Sequence, residues 1–216
     1  MDYQVIRAGT SRSFPEDHPL TAGAKDGGEI VVFIGTDAGA AFRQFDATLE
    51  KAAVLLIELS TECLGTYTGE KRGEEGSNVL GFARFRLGDT QPSDLVELVR
   101  QPRTAQPAID AARVLFEQHG LKVALCGDFA GRILDRLLRP YYNAALRRLD
   151  EGLATAGDLD TTLKLGLGYP EGPIELLERT GLTHHYDVTR TLFEVYGEAA
   201  YAPARRARVA KQRQEQ

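Results

Sequence analysis

The sequence lacks the features that mark secreted, disulfide-stabilised and membrane-spanning proteins. It has only two cysteines, Cys63 and Cys126, in apolar surroundings without a CxxC pair or a histidine at metal-ligand spacing. This usage favours reduced thiols and argues against a disulfide framework. The polar residues 1–19 contain no apolar run of signal-peptide length, and no stretch approaches the length of a membrane span. We therefore expect a cytoplasmic protein with no membrane partner.

An excess of basic residues is missing as well. The formal net charge is -5 at pH 7, whereas proteins that bind nucleic acids carry a strong positive excess. Apolar residues make up 43% of the 216 positions, which is enough to form a buried core without disulfide bonds. The composition predicts a soluble, folded protein with no nucleic-acid partner.

Residues 1–127 have the pattern of an α/β domain. Residues 29–35 (EIVVFIG) form a continuous β-branched run that ends at a glycine, which is typical of a parallel strand buried on both faces. A helical spacing over residues 40–51 and a strand at 54–59 complete a βαβ unit. The remaining predictions are strands at 3–7, 79–85, 94–100 and 122–126, a helix from Pro107 to Gly120, and loops at 11–28 and 65–77.

Residues 128–216 change to a helical period. A wide apolar face runs from Phe129 to Leu149, and Pro140 inside it predicts a kink. Thr155 is expected to cap a helix that ends at Gly166. Further helices are expected from Pro173 to Gly181 and over 186–197, and the basic tail, 204–216, is expected to be a frayed helix or disordered. The prediction is an α/β domain followed by an all-α domain.

A resemblance to a known family enters in this helical part. Residues 168–182 read GYPEGPIELLERTGL and follow FAGRILDRLLRPYYNAALRRLDEGLATAGDLDTTLKLG. Over residues 128–196 the pattern resembles the C-terminal domain of 3-hydroxyacyl-CoA dehydrogenases. The resemblance implies a helical domain that dimerises and closes one side of an acyl-CoA cleft.

The upstream strands resemble the same family more faintly. EIVVFIG is similar to its fourth Rossmann strand, AVLLIELST to its fifth and VLGFARF to its sixth. No counterpart of the family's first strand, G-x-G-x-x-G turn or ribose-binding acid is expected, because the residues before position 29 are too few for that unit. This implies a truncated Rossmann-like domain that holds no NAD, the family's cofactor. The arrangement is similar to the second half of long 3-hydroxybutyryl- or 3-hydroxyadipyl-CoA dehydrogenases.

The family's catalytic pair is a histidine assisted by a glutamate, because alcohol oxidation needs a base for the hydroxyl proton. The family pattern G-x-H-F-F-N-P places Ala83 where the histidine stands, and alanine cannot carry a proton. Glu97 matches the glutamate, although an insertion separates it from Ala83. Without an imidazole we expect Glu97 to orient nothing. The family's hydroxyl pair after the fifth strand is kept in part as Ser60 and Thr61.

The family's substrate-side asparagine, in its F-I-V-N-R-L-L pattern, falls on Asp135. An anion there would disfavour a developing negative charge on a thioester unless it were protonated or paired with Arg132 or Arg136. The alternative for Glu97, Asp135 and Thr61 is that they are surface or cap residues of an inherited fold. Because alanine stands at the histidine position, no catalytic role is assigned to these three residues.

Two further patterns are weak. Residues 35–40 (GTDAGA) have the strand-to-helix context of a phosphate loop, but Asp37 would repel a pyrophosphate, which favours an ordinary turn. The adjacent His184 and His185 cannot both face one metal from a helix, and we expect no metal site.

These observations favour a noncatalytic dimerisation or partner half in acyl-CoA catabolism of the fatty-acid or phenylacetate type. Its expected partner is a second copy of the chain or a full-length dehydrogenase, and acyl-CoA is a possible ligand. Two alternatives stay open. One is an active or partner-assisted, NAD-dependent 3-hydroxybutyryl-CoA dehydrogenase, and the other is an acyl-CoA-binding module.

Overall fold

The computed structural model describes residues 2–45, 52–69 and 78–216. The described chain divides into two compact units. The first, here called the sheet unit, holds the chain up to Arg86 together with Pro92–Arg132. The second, the helical unit, holds Leu87–Gln91 and Ile133–Gln216. Among the described residues, no helix is both long and apolar enough to cross a lipid bilayer.

The sheet unit contains six strands that lie in the sheet in the order in which they occur in the chain. They are β1 (Tyr3–Arg7), β2 (Ile30–Ile34), β3 (Val54–Glu58), β4 (Val79–Arg84), β5 (Leu95–Arg100) and β6 (Lys122–Gly127). Every neighbouring pair is parallel except β4 and β5, which are antiparallel. The sheet is therefore mostly parallel, as expected of a Rossmann-like domain, with this pair as the exception. A parallel connection needs a crossover of about a dozen residues or more, and residues 85–94 are too few for one.

β1 lies at the edge of the sheet and pairs in parallel with β2, with Tyr3 opposite Ile30 and Arg7 opposite Ile34. In the Rossmann order 3-2-1-4-5-6, the first strand is the neighbour of the fourth. If β2 is the fourth strand, as the resemblance implies, β1 occupies the place of the first. The expectation that the first strand has no counterpart is therefore wrong, because a strand of five residues fills its position.

Helices cover both faces of the sheet. They are α1 (Pro19–Ala22), α2 (Ala38–Gln44), α3 (Gly65–Thr68) and α4 (Gln106–Gln118). Residues of α4 pack with one set of strand side chains, and α2 packs with the opposite set, as the continuous apolar runs of β2 and β3 require. The helix expected over 40–51 begins at Ala38, and its stretch 46–51 lies outside the described residues. The loop expected over 65–77 begins as α3, and its stretch 70–77 lies outside them too.

The helical unit contains α5 (Leu134–Asp150), α6 (Ala156–Leu167), α7 (Pro173–Thr180), α8 (Leu182–Tyr196) and α9 (Arg205–Gln214). Its core combines α5, α7 and α9, with Tyr142, Leu146 and Leu177 buried at the centre. The cap expected at Thr155 is confirmed, because its side chain accepts a hydrogen bond from the Asp158 amide at the start of α6. The long helix begins at Leu134 and not at Phe129.

Pro140 lies inside α5 and has no N–H to donate to the carbonyl four residues earlier, that of Arg136. The Tyr201 hydroxyl donates a hydrogen bond to the Arg136 carbonyl oxygen at 3.4 Å. Tyr201 is itself 4% exposed, so the bond is held within the packed unit. A distant side chain thus replaces the donor that proline lacks, while the kink expected at Pro140 stays a prediction.

The C-terminal tail is folded, which corrects the expectation of a frayed or disordered end. α9 buries Ala207, and the preceding Ala204 is also buried. Arg206 forms an ion pair with Asp150, and Lys211 forms one with Asp187. The tail has a polar sequence because its buried contact with the core is made by two small residues, Ala204 and Ala207.

Candidate functional site

The residues that the family pattern assigns to catalysis meet in the middle of the β4–β5 pair. Ala83 on β4 lies directly opposite Glu97 on β5 in the antiparallel register. Opposite residues point to the same face, with Cβ atoms ~4.5–5.5 Å apart. A histidine at position 83 would therefore stand beside Glu97, and the insertion between the two positions does not separate them in space. The sequence assignment of both positions agrees with this register.

Glu97 has a different cationic partner in this chain. Arg132 Nε lies 3.4 Å from Glu97 Oε2, and the two side chains are 5% and 2% exposed. Arg132 Nη2 donates to the carbonyl oxygen of Ser60, just beyond β3, at 2.6 Å. Because β4 lies between β3 and β5, the guanidinium reaches across the strand that carries Ala83. The expectation that Glu97 orients nothing is wrong, because it holds this arginine.

The exchange of imidazole for guanidinium changes what the site can do. A neutral imidazole can accept a proton, whereas guanidinium stays protonated in proteins and only donates hydrogen bonds. Cys126 on the neighbouring β6 offers no substitute base, since burial and the charge of Glu97 raise the pKa of its thiol to about 11. Arg132 therefore brings hydrogen-bond donors, and no proton acceptor, to the position beside Glu97.

Arg132 shows two further departures from an ordinary structural residue. It has a φ of +51°, a left-handed conformation that is uncommon outside glycine and costs ~1–3 kcal/mol. The third nitrogen of its guanidinium, Nη1, is buried and has no hydrogen-bond partner among the described residues. Strained backbone and unsatisfied buried donors concentrate at functional positions. No family pattern pointed to Arg132 as a site residue, and its charge at an otherwise apolar position was the available signal.

The chain around Arg132 is fixed by backbone hydrogen bonds and by a carboxylate. The Gly131 amide donates to the Thr61 carbonyl oxygen at 2.9 Å. Asp128 accepts hydrogen bonds from the amides of Leu64 and Gly65 and from the Gln101 side chain. Thr61 is thus joined to the segment before α5 through its main chain, and it is half-buried. Arg132 therefore lies among Glu97, Ser60, Thr61 and Ala83.

Residues 8–14, here called the crossing segment, run from the end of β1 over the carboxyl edge of the sheet to β4. The Ser13 amide donates to Glu58 Oε1 at the end of β3, at 2.7 Å. The Arg84 amide on β4 donates to Ser13 Oγ, and Arg84 Nη1 donates to the Ser13 carbonyl oxygen. Phe14 follows, 2% exposed, with its ring 6.2 Å from that of Phe82. The segment is anchored at three strands.

The turn after β2 is engaged by the same segment. The amides of Thr36 and Asp37 donate to the carbonyl oxygens of Thr10 and Ala8. Gly35, at φ +112°, lies so close that a Cβ atom there would meet the Ala8 carbonyl oxygen at 2.1 Å. The amides that a phosphate loop would turn toward an anion are thus bonded to backbone oxygens. The interpretation of residues 35–40 as an ordinary turn agrees with this geometry.

Open α/β sheets bind dinucleotides at the carboxyl ends of the strands, where the strand order changes direction. In this chain a small open cavity is found there, lined in part by Glu58, Glu62 and Arg12. Two carboxylates beside one guanidinium disfavour a pyrophosphate. The residues present do not fit NAD at this edge.

Asp135 belongs to the helical unit and has a partner that the sequence did not indicate. Arg139 Nε donates to Asp135 Oδ1 at 2.7 Å, and both residues are buried. Asp135 and Arg139 lie one turn apart on α5, so the cation paired with Asp135 is one that the sequence analysis did not name. The alternative of a surface or cap residue is wrong for Asp135 and for Glu97. Asp135 is held in an internal ion pair.

This ion pair continues into a buried polar network. Arg139 Nη1 lies 3.2 Å from His185 Nδ1, and His185 Nε2 lies 3.0 Å from Asn143 Oδ1. Burial, followed by the charge of Arg139, lowers the pKa of His185 to about 3. A neutral imidazole that accepts at Nδ1 and donates at Nε2 satisfies both contacts. The spacing of Asp135, Arg139 and Asn143 at every fourth residue of α5 was a signal that could have revealed this network.

The other histidines also have local partners. His18 Nδ1 accepts from the Leu20 amide, His119 Nε2 lies 3.0 Å from the Tyr3 hydroxyl, and His184 Nδ1 accepts from the Gly88 amide. Within the described ranges, no three His, Cys, Asp or Glu side chains are grouped so that they could hold a metal ion.

Comparisons with known proteins agree with the resemblance. Residues 131–215 match the family model described as 3-hydroxyacyl-CoA dehydrogenase, C-terminal domain. The mitochondrial hydroxyacyl-coenzyme A dehydrogenase of Sus scrofa is 38% identical over 104 residues, which cover 48% of this chain and 32% of that protein. A 3-hydroxybutyryl-CoA dehydrogenase of Mycobacterium tuberculosis is 33% identical over 135 residues, which cover 60% of this chain and 45% of the relative.

The fold extends the likeness over both units. The crystal structure of (S)-3-hydroxybutyryl-CoA dehydrogenase from Ralstonia eutropha matches with a TM-score of 0.71 and 24% identity, over 84% of this chain and 64% of that one. The sequence match to the Sus scrofa protein spans about a third of that protein's length. The first unit is Rossmann-like, and the second is a 3-hydroxyacyl-CoA dehydrogenase C-terminal domain. On the evidence of the sequence matches, residues 131–215 of this chain belong to the C-terminal domain family of the 3-hydroxyacyl-CoA dehydrogenases.

Proposed function

We propose that this chain is a noncatalytic member of its family, which associates through its helical unit with a second copy or with a full-length dehydrogenase. The observation that carries the proposal is the pairing of Glu97 with Arg132 opposite Ala83. A guanidinium stays protonated, so Arg132 cannot replace the family's histidine as the base that removes the hydroxyl proton in the oxidation of a secondary alcohol. The crossing segment supports the same conclusion, because it fills the edge where NAD would lie.

Apolar surface on the helical unit supports the association. Leu137 on α5 is 67% exposed, and Leu165 and Leu167 on α6 are 82% and 62% exposed. Large exposed apolar side chains that recur on one domain are typical of an interaction surface. The setting we propose is acyl-CoA catabolism in the cytoplasm. Its support is that the similar proteins are hydroxyacyl- and 3-hydroxybutyryl-CoA dehydrogenases, and that the two cysteines are not bonded to each other.

Two measurements test the proposal. The purified chain alone should not reduce NAD with 3-hydroxybutyryl-CoA, and neither should its complex with an inhibited full-length dehydrogenase. NAD reduction that disappears in the variant Glu97→Gln would contradict the noncatalytic role. Sedimentation equilibrium should show a dimer, or a complex with an added full-length 3-hydroxybutyryl-CoA dehydrogenase.

The association is tested by charge placed on the apolar surface. Leu137→Glu and Leu165→Glu should weaken assembly at least tenfold, because a buried unpaired carboxylate is costly. Val114→Glu is the matched control, since Val114 is 38% exposed on α4 of the sheet unit and should leave assembly unchanged. A chain that stays monomeric at high concentration and ignores the added dehydrogenase would contradict the association.

A further inference from the structure

An open cavity lies within the helical unit, between α5 and the turn that leads into α7. Its volume is about 240 Å³. Three tyrosines line it, Tyr141, Tyr142 and Tyr169, together with Leu138, Leu176 and two prolines. An apolar cavity of roughly 150 Å³ is enough to hold a benzene ring in a protein. This cavity therefore has room for one aromatic ring with a small substituent.

One hydrogen-bond donor of this lining has no acceptor. The hydroxyl oxygen of Tyr141 is buried and has no hydrogen-bond partner among the described residues. Burial raises the pKa of this hydroxyl to about 12, so it stays protonated at neutral pH. Buried tyrosine hydroxyls usually find a partner, and one that is left without a partner costs free energy. An acceptor oxygen placed in the cavity would satisfy it.

The charges around the cavity favour a neutral ligand. Among the described residues that line it, the only charged side chain is Glu171. Arg179 donates to both of its carboxylate oxygens, from Nε at 2.9 Å and from Nη2 at 2.6 Å. An anion would meet no cation in the lining, and a cation would have to compete with Arg179 for the carboxylate. A neutral molecule avoids the cost of burying an unpaired charge.

The rings of the lining favour an aromatic ligand. Tyr141 lies edge-on to Tyr169 with the ring centroids 6.1 Å apart, and its centroid lies 5.3 Å from that of Tyr142. A further ring can pack edge-to-face against such a group. Tyr169 is 43% exposed, and exposed side chains change rotamer within picoseconds to nanoseconds. We expect its rotation to give a ligand access to the shielded hydroxyl of Tyr141.

We propose that this cavity binds a small, neutral aromatic molecule through a carbonyl oxygen that accepts a hydrogen bond from the Tyr141 hydroxyl. The inference goes beyond the proposed function and does not depend on it, because every lining residue belongs to the helical unit and none to the sheet unit that holds Glu97 and Arg132. Absence of NAD reduction therefore leaves this site untouched, and absence of ligand binding leaves the noncatalytic role intact.

An NMR chemical-shift titration of the purified chain with three ligands tests the proposal. Acetophenone and ethylbenzene have nearly the same shape, and only acetophenone carries the carbonyl oxygen, whereas benzoate carries a full negative charge. Acetophenone should bind with a Kd in the millimolar range or below and at least about threefold more tightly than ethylbenzene, a factor in line with one neutral hydrogen bond. Benzoate should bind more weakly than acetophenone. Equal affinity for acetophenone and ethylbenzene, tighter binding of benzoate, or no saturable binding of acetophenone would overturn the proposal.

The variant Tyr141→Phe assigns the preference to the hydroxyl group. It removes a buried donor that has no partner, so the variant should be at least as stable as the wild type. It should bind acetophenone no more tightly than ethylbenzene. Tyr67→Phe is the matched control, because the Tyr67 hydroxyl donates to Glu62 in the sheet unit, and it should keep the wild-type preference. A Tyr141→Phe chain that keeps the preference would contradict the assignment to this cavity.

A second copy of the chain is the competing occupant, since Leu137 and Tyr169 are both exposed on the helical unit. The titration is therefore repeated at several protein concentrations and with Leu137→Glu, whose assembly should be weaker. An affinity for acetophenone that is independent of the protein concentration supports a ligand site. An affinity that falls as the concentration rises, and that Leu137→Glu restores, would overturn the proposal, because the cavity would then be part of the association surface.

Discussion

Glu97 lies directly opposite Ala83, and its carboxylate holds Arg132 where a histidine at position 83 would reach. The same carboxylate position that assists a base in the family therefore serves a buried ion pair here. The carboxylate of Glu97 is balanced by a guanidinium, which stays protonated and only donates hydrogen bonds. This relationship makes the following predictions specific to particular side chains.

Glu97→Gln should lower the free energy of unfolding by about 3–5 kcal/mol, because it leaves the guanidinium of Arg132 buried opposite a neutral amide. Urea denaturation at pH 7 measures the loss. Glu151→Gln is the control, since Glu151 pairs with Arg148 at the surface and such pairs contribute at most about 1 kcal/mol. A similar loss in both variants would argue against a structural role of the buried pair.

Glu58→Gln should loosen the crossing segment. Glu58 accepts the Ser13 amide at one carboxylate oxygen and the Gly35 amide at the other, both at 2.7 Å. Glutamine can offer an oxygen to only one of them, so we expect a loss of about 1–3 kcal/mol and faster hydrogen exchange in residues 8–14. Asp94→Asn, which changes an 84% exposed carboxylate beside Arg84, should leave exchange in the segment unchanged.

The buried His185 should make the chain sensitive to acid. Its pKa is lowered from 6.5 to about 3 by burial and by Arg139, so the unfolded chain binds a proton near pH 6.5 that the folded chain rejects. Stability is therefore fully present above pH 6.5 and falls by up to about 1.4 kcal/mol per pH unit between pH 6.5 and 3.

His185→Asn should remove this part of the pH dependence, although it costs stability at pH 7 through the lost contacts with Arg139 and Asn143. His184→Asn is the matched control and should keep the wild-type slope. Urea denaturation at a series of pH values between 4 and 8 compares the three proteins, and equal slopes in all of them would contradict the role of His185.

Tyr201→Phe should cost about 1 kcal/mol, because the Arg136 carbonyl oxygen loses the donor that replaces the missing N–H of Pro140. In a Pro140→Ala background the alanine amide can donate to the same oxygen, and the cost of Tyr201→Phe should shrink. A double-mutant cycle measures the coupling between the two positions. Strict additivity would show that the Tyr201 bond does not compensate for the proline.

The sequence pattern was sufficient to predict those elements whose conformation depends on their own residues. The buried runs of β2 and β3, the Thr155 cap and the proline that begins α7 agree with the structure. Patterns failed where a few small residues make the contact, as for Ala204 and Ala207 in the tail. They predicted β1 as a strand at residues 3–7 but not its place in the sheet, which depends on its pairing with β2 and not on its own five residues.

The sequence by itself predicts that Ala83 stands at the family's histidine position and that Glu97 matches its assisting acid, because the residues around each position, and not the spacing between them, carry the resemblance. Only the tertiary structure decided which cation Glu97 holds and where the crossing segment runs. Arg132 follows Glu97 by 35 positions, and Ser13 precedes Glu58 by 45. Pairings at such separations depend on how strands stack at the sheet edge, and no local periodicity encodes them.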